Sequence, residues 1–180
     1  FKLKNENTYF LAWTTTPWTL LSNVALAVHP DELYIKVRYH GEEMILAEQR
    51  AATLLKGEDY DLLDGFKGKE LEHTEYEPLF PYAHPDKKAW YIICADFVTM
   101  DDGTGIVHIA PAFGEDDYNV GKSYDLPVVQ LVKLDGTFKD EVELWKGEFV
   151  KDADSKIIKY LDEKGLLEGV HEYEHEYPFC

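Results

Sequence analysis

Short runs rich in β-branched and aromatic residues recur along this chain, each closed by a turn signal, and that pattern leaves room for many strands and few helices. The runs cover residues 9–15, 24–28, 33–37, 43–47, 89–94, 105–109 and 128–132. His29-Pro30-Asp31, Asp102-Gly103 and Asp135-Gly136 punctuate them. Helical patterns are predicted only over 48–55, 114–124 and 154–164, the last with Ile157, Ile158 and Leu161 on one face and Gly165 as a stop. The expectation is a mainly β fold with a β-barrel core and a few peripheral helices, forming a single domain over residues 1–180. With 45% hydrophobic residues, the chain has enough apolar surface to fill such a core.

The charge balance narrows the function. A formal net charge of −17 opposes any reading in which sequence-independent attraction to phosphates supplies affinity, so a nucleic acid would have to be bound locally. Cys94 and Cys180 are far apart with no CxxC spacing, which suits a reducing compartment, and no run approaches the roughly 18 apolar residues of a membrane span. The expected setting is the cytoplasm. Because the chain opens without Met and closes on YPFC, it is expected to be a piece excised from a longer protein.

Two segments concentrate small polar groups where a core would prefer hydrocarbon. The first is WTTTPWTL (residues 13–20) with Asn23 beyond it; the second is GTGIVHIAPAFGEDDY (residues 103–118). Pro17 biases its predecessor toward extended geometry, so Thr14, Thr15 and Thr16 are expected to leave a strand on alternating faces with at least one hydroxyl inward. A buried hydroxyl without a partner costs about 1–3 kcal/mol, so this run predicts a polar ligand, with Thr19 and Asn23 added to the same corner. In the second segment, Val107 and Ile109 point one way and His108 the other, toward a pocket or solvent. Asp116 and Asp117 stand at a helix start, where carboxylates suit the positive end. Both cannot occupy the cap, which leaves one to meet a cation.

His171, Glu172 and His175 spell H-E-x-x-H, but the surrounding VHEYEHEYPF alternates with a strand-like period and meets Pro178. Zinc ligation is therefore not expected, and no metal or cofactor is predicted. Nothing in the chain announces a nucleophile elbow, a P-loop or a Cys/His pair.

Together, the two segments closely resemble the editing domain inserted in class I isoleucyl-tRNA synthetases, and residues 68–80, 96–105 and the closing HEYPFC extend the resemblance along the whole chain. Valyl and leucyl editing domains share the threonine-rich and GTG segments, and His108 favours the isoleucyl branch. The resemblance implies hydrolysis of the ester of valine carried by isoleucine tRNA, with valyl-adenylate as a further candidate and isoleucine excluded. It implies no aminoacylation by this piece. Partners so implied are the 3′ end of the misacylated tRNA, noncognate valine and the remainder of the synthetase, with no membrane.

By the same resemblance, Asp117 receives the substrate's α-ammonium and His108 is a steric wall. Thr14, Thr15, Thr16 and Thr19 hold the adenosine and ester and help orient a water, with Trp18 and Asn23 in the same lining. Two alternatives stay open: a valyl- or leucyl-type editor with another noncognate amino acid, or a module that binds aminoacyl-adenosine or RNA without turnover.

Overall fold

The computed structural model describes residues 1–55 and 58–170; the H-E-x-x-H stretch, with His171 and His175, lies outside them. Strands pair into two sheets. In the first the order is β1 (Thr8–Phe10), β4 (Glu42–Ala47), β3 (Leu33–Tyr39) and β5 (Asp61–Lys67), with β1 parallel to β4 and the rest antiparallel. In the second, β2 (Ala25–Val28) lies between β6 (Tyr91–Cys94), its parallel partner, and β7 (Ile106–Ile109), its antiparallel one. The fold is mainly β as expected, and among the described residues the ladders form two open sheets without closing into one barrel.

β2 is the hub because its sequence, ALAV, has no side chain that needs water, and every residue in it is buried. Ala25 and Ala27 enter one apolar cluster with Ile93, Ile109, Phe138 and Trp145, while Leu26 and Val28 enter a second with Phe10, Tyr34, Ile45 and Ile92. That alternation is the period of two expected of a strand covered on both faces. A third cluster forms where Met44 and Leu46 on β4 meet Ala51 and Leu55 at α1 (Glu48–Leu54).

The short α2 (Gly68–Leu71) follows β5, and α3 (Glu115–Tyr124) opens just after β7. The last helix, α4 (Val150–Glu163), buries Val150, Ala153, Ile157 and Leu161, a spacing of three to four that gives one apolar stripe. It packs on a 3₁₀ helix spanning Pro17–Ser22, and Gly165 ends it with φ +69°.

Three expectations are corrected. The strand predicted over 9–15 pairs only as Thr8–Phe10, with Trp13 in an isolated bridge to Val107. Beyond it, the Thr16 N–H donates to Thr14 Oγ1, and Pro17 supplies the φ of a helical first turn, so the threonines form a turn instead of a strand. The run 128–132 forms no ladder, only a single bridge from Val132 to Phe138, since Val129 and Leu131 serve as core residues. Conversely β5, DLLDGFK, is a strand that composition hides: it is a largely exposed sheet edge with a register shift opposite Lys36/Val37.

Candidate functional site

A cavity of about 260 Å³ opens between the threonine turn, the loop 97–105, β7 and the start of α3. Its lining includes Thr14, Thr15, Thr16, Thr19, His108 and Asp117, so two segments some 90 positions apart in sequence meet on one wall. The 3₁₀ helix explains which residues face it. With three residues per turn, positions three apart eclipse, which stacks Thr19 over Thr16 and turns Trp18 elsewhere.

Trp18 and Asn23 stand outside this lining. The Trp18 indole packs edge-on against Phe113 at 4.9 Å, and its backbone N–H donates to Asp154 Oδ1 on α4 at 2.9 Å. Asn23 ends the 3₁₀ helix and lies behind the cavity, where it holds the wall from the rear.

The hydrogen bonds fix every proton behind that wall. Asn23 Nδ2 donates to the Ala25 carbonyl at 2.8 Å, which orients the amide because a carbonyl accepts and never donates. The same nitrogen lies 2.9 Å from His108 Nδ1, so Nδ1 is the acceptor and the imidazole carries its proton on Nε2. Nε2–H then donates to Thr19 Oγ1 at 2.9 Å. Thr19 passes its own proton to the Thr16 carbonyl at 2.8 Å, so Thr16 Oγ1–H donates to Thr19 Oγ1, also at 2.9 Å.

His108 is buried, and burial pushes its pKa down to about 4, so the ring is neutral at physiological pH. Both ring nitrogens are committed to protein partners. The side chain can present bulk to the cavity but has no lone pair or proton left for a substrate. Other polar groups on this side of the cavity are the hydroxyl of exposed Thr15, the Asp117 carboxylate, and the Thr14 hydroxyl, which already accepts the Thr16 N–H.

Asp117 is the third residue of α3, which has Gly114 at its N-cap and no side-chain cap bond. Its Oδ2 accepts the Ala110 N–H at 2.9 Å, tying the helix start to the end of β7. Burial raises its pKa above the ordinary aspartate value, which the Ala110 bond partly opposes and exposed Asp116 reinforces. A half-buried carboxylate held this way is a strong acceptor for a cationic group.

The sequence reading missed the opposite rim, where Phe97, Thr99, Asp102 and Thr104 also line the cavity. The available signal was an aromatic followed by small hydroxyls ahead of paired glycines, a weaker version of WTTT. Gly105 has φ +77°, and a Cβ there would come within 2.4 Å of the Ala47 Cβ, so the loop demands glycine at that point. Arg50 on α1 donates from Nε to the Gly103 carbonyl at 2.8 Å and from Nη1 to the Asp101 carbonyl at 3.2 Å, which pins the loop.

Among the described residues, no group of three or more His, Cys, Asp or Glu is placed to hold a metal ion, and no helix is long and apolar enough to cross a membrane. Burial pushes the Cys94 thiol up to about 11.

Comparison with known proteins shows the family and the fold. Residues 1–159 match the family model described as "Leucyl-tRNA synthetase, editing domain". The chain is 56% identical to the isoleucine–tRNA ligase of Clostridium acetobutylicum and 54% identical to that of Clostridium novyi. That of Bacillus thuringiensis is 50% identical. In each case all of this chain is covered, but only 17% of the relative's length. The crystal structure of GlLeuRS-CP1 superposes with a TM-score of 0.76 at 18% identity, covering 95% of this chain and 86% of that one. The cytosolic leucyl-tRNA synthetase editing domain of P. falciparum does so at 0.65 and 14% identity, covering 86% and 76%. These structural likenesses speak for the fold.

Proposed function

Since the chain belongs to the aminoacyl-tRNA synthetase editing domains, of the isoleucine–tRNA ligase type, we propose that it hydrolyses the ester of valine misattached to isoleucine tRNA. The supporting observation is one cavity that brings together threonine hydroxyls, the half-buried Asp117 carboxylate and an imidazole with no free nitrogen.

Isoleucine exceeds valine by one methylene, which a binding pocket discriminates by only about 1–3 kcal/mol, so a second sieve is needed after charging. In this reading the substrate's ammonium sits against Asp117, the aliphatic side chain points at the His108 ring, and the ester lies beside Thr14 and Thr15. A cavity of about 260 Å³ holds the amino acid, while the terminal adenosine occupies its mouth.

Hydrolysis proceeds by attack of a water oxygen on the ester carbon. The bond to the ribose oxygen breaks, and that oxygen takes up a proton, leaving free valine and uncharged tRNA. The protein's share is positioning: hydroxyl dipoles orient the ester and the water, and the neighbouring ribose hydroxyl assists proton movement. His108 is not the general base, because neither nitrogen has a free lone pair. Its partners are the tRNA 3′ end and the rest of the synthetase chain.

The deciding experiment offers this chain isoleucine tRNA, or a short acceptor-stem mimic, carrying valine, isoleucine or threonine. Cleavage of the valyl ester with sparing of the isoleucyl ester is expected. Preference for the threonyl ester would make it a valyl-type editor. Binding of a non-hydrolysable valyl-adenosine analogue without ester cleavage would replace catalysis with substrate holding.

A further inference from the structure

We propose that Tyr76 is a positioning residue for the specificity wall: its hydroxyl holds the Asn23 amide, and through that amide it sets the orientation and hydrogen bonding of the His108 ring. The inference rests on the reading of His108 as the wall that excludes isoleucine, and extends it to a residue outside the cavity.

Tyr76 lies in the connection between α2 and β6, remote in sequence from both site segments. It is 2% exposed and belongs to the apolar cluster with Leu3, Phe10 and Leu26. Its position is fixed independently of the site. The backbone N–H donates to the Trp90 carbonyl at 2.9 Å, residue 76 bridges to Leu3, and the Phe1 ring stands edge-on at 5.3 Å. From that anchored ring the hydroxyl donates to Asn23 Oδ1 at 2.5 Å.

Asn23 thereby has every polar atom engaged. Its N–H donates to the Leu20 carbonyl at 3.2 Å, and its carbonyl accepts Trp90 Nε1–H at 3.0 Å. Its amide nitrogen serves Ala25 and His108, and its amide oxygen receives Tyr76. Trp90 reaches this place with φ +61°, a left-handed conformation unfavourable for a bulky aromatic. Two aromatic side chains of one connecting segment thus close on a single asparagine, one on its backbone and one on its side chain. A core that needed only volume at residue 76 would be served as well by phenylalanine.

The consequence runs through directional bonds. Without the Tyr76 hydroxyl, Asn23 Oδ1 is a buried acceptor with no donor, and the amide gains by swinging away to find one. The His108 Nδ1 lone pair then loses its N–H partner, and the ring is held at one nitrogen instead of two. A ring free to rock widens the slot beside it, and the longer aliphatic side chain gains most from that space.

The test compares this chain with its Tyr76→Phe variant, using long-range nitrogen–carbon NMR correlations of the histidine rings, assigned with His108→Gln. Valyl and isoleucyl ester cleavage are measured in parallel. Wild-type His108 is expected as the neutral Nε2–H form at neutral pH. In Tyr76→Phe, with cooperative melting retained, the Nδ1 signal should move toward that of an unbonded ring nitrogen, and discrimination should fall about 3- to 10-fold, mainly through faster isoleucyl cleavage.

Wild-type ring signals in the variant, or an Nδ1–H ring in the wild type, would overturn the proposal. If Tyr76→Phe fails to fold, site-specific 3-fluorotyrosine at position 76 keeps ring and hydroxyl with a stronger donor. The Nδ1 signal should then shift in the opposite direction, and an unmoved signal would overturn the proposal equally. A wild-type chain that cleaves neither ester defeats the functional reading alone, because the ring spectra still decide the role of Tyr76.

Discussion

His108 Nε2 and Thr19 Oγ1 lie 2.9 Å apart, and the proton between them belongs to the imidazole. The assignment follows from the far side of the ring, where Asn23 Nδ2 can only donate. The contact joins the first turn after the threonine run to the middle of β7, which sits opposite Leu26 in the ladder with β2. It converts a histidine, ordinarily a proton carrier, into a fixed block of the cavity wall.

Replacing His108 by Ala should therefore change which ester is cleaved, with little effect on the rate for the one already accepted. Opening the wall by the volume of an imidazole admits one extra methylene, so the preference for valyl over isoleucyl ester should drop from on the order of 10–100 to near 1. Steady-state cleavage of the two esters by wild type and variant measures it, and an unchanged preference would remove His108 from the sieve.

The same burial makes His108 an acid sensor of the fold. Its folded pKa of about 4 lies below the unfolded value of 6.5, so the unfolded chain binds the extra proton first. The group's stabilisation is present above pH 6.5 and is lost as pH falls toward 4, a change of about 3 kcal/mol over the 2.5-unit gap. His108→Gln, which keeps a donor and an acceptor without titrating, should lack this loss. The stability difference between the two proteins in denaturant titrations should shift in favour of the variant by about that amount between pH 7 and pH 4.

Asp117 shows the opposite sign. Its folded pKa is raised, so its contribution to stability is fully present below the unfolded value and is lost as pH rises through the folded one. Asp117→Asn keeps an acceptor for the Ala110 N–H but removes the buried charge. The variant should be more stable than wild type at neutral pH and lose that advantage in acid. Its valyl ester cleavage should fall about 10- to 100-fold with the loss of a charge-assisted contact to the ammonium. Wild-type cleavage should decline on the acid side at a pH above the ordinary aspartate value. A variant both active and no more stable would contradict the assignment.

How far the sequence reached depended on whether the signal was local. β2, β3 and β4 were legible as short runs of β-branched and aromatic residues, α3 because an acidic start marks it, and α4 because its apolar stripe ends at Gly165. The DLLDGFK strand was not, since an exposed edge places no demand on side-chain pattern and is specified by its partner β3. At the site, the threonines, His108 and Asp117 stood out as polar groups in apolar settings. Strand alternation was expected of Thr14, Thr15 and Thr16 where Pro17 instead begins a 3₁₀ turn, and that turn sets the Trp18 indole against Phe113. Tyr76 carried no signal at all, because a single tyrosine in a connection reads as core until its hydroxyl is seen on Asn23.

Gly105 separates two sources of strain behind the cavity. Its φ of +77° is unfavourable for any side chain, and a Cβ would also stand 2.4 Å from the Ala47 Cβ, at the start of α1. The loop cannot simply retreat, because the Thr104 carbonyl accepts the Ala47 N–H at 2.9 Å and the Gly105 carbonyl accepts the Tyr34 hydroxyl at 2.6 Å. Gly105→Ala should therefore destabilise by about 2–4 kcal/mol, of which roughly 1–2 is backbone conformation and the rest overlap. At about 2–4 °C per kcal/mol for a chain of this size, the melting temperature should fall by roughly 4–16 °C. Adding Ala47→Gly removes the overlap and leaves the conformational part, so the double variant should recover about half of the loss. Full recovery would mean that the positive φ carries no strain, and no recovery that Ala47 does not confine the loop.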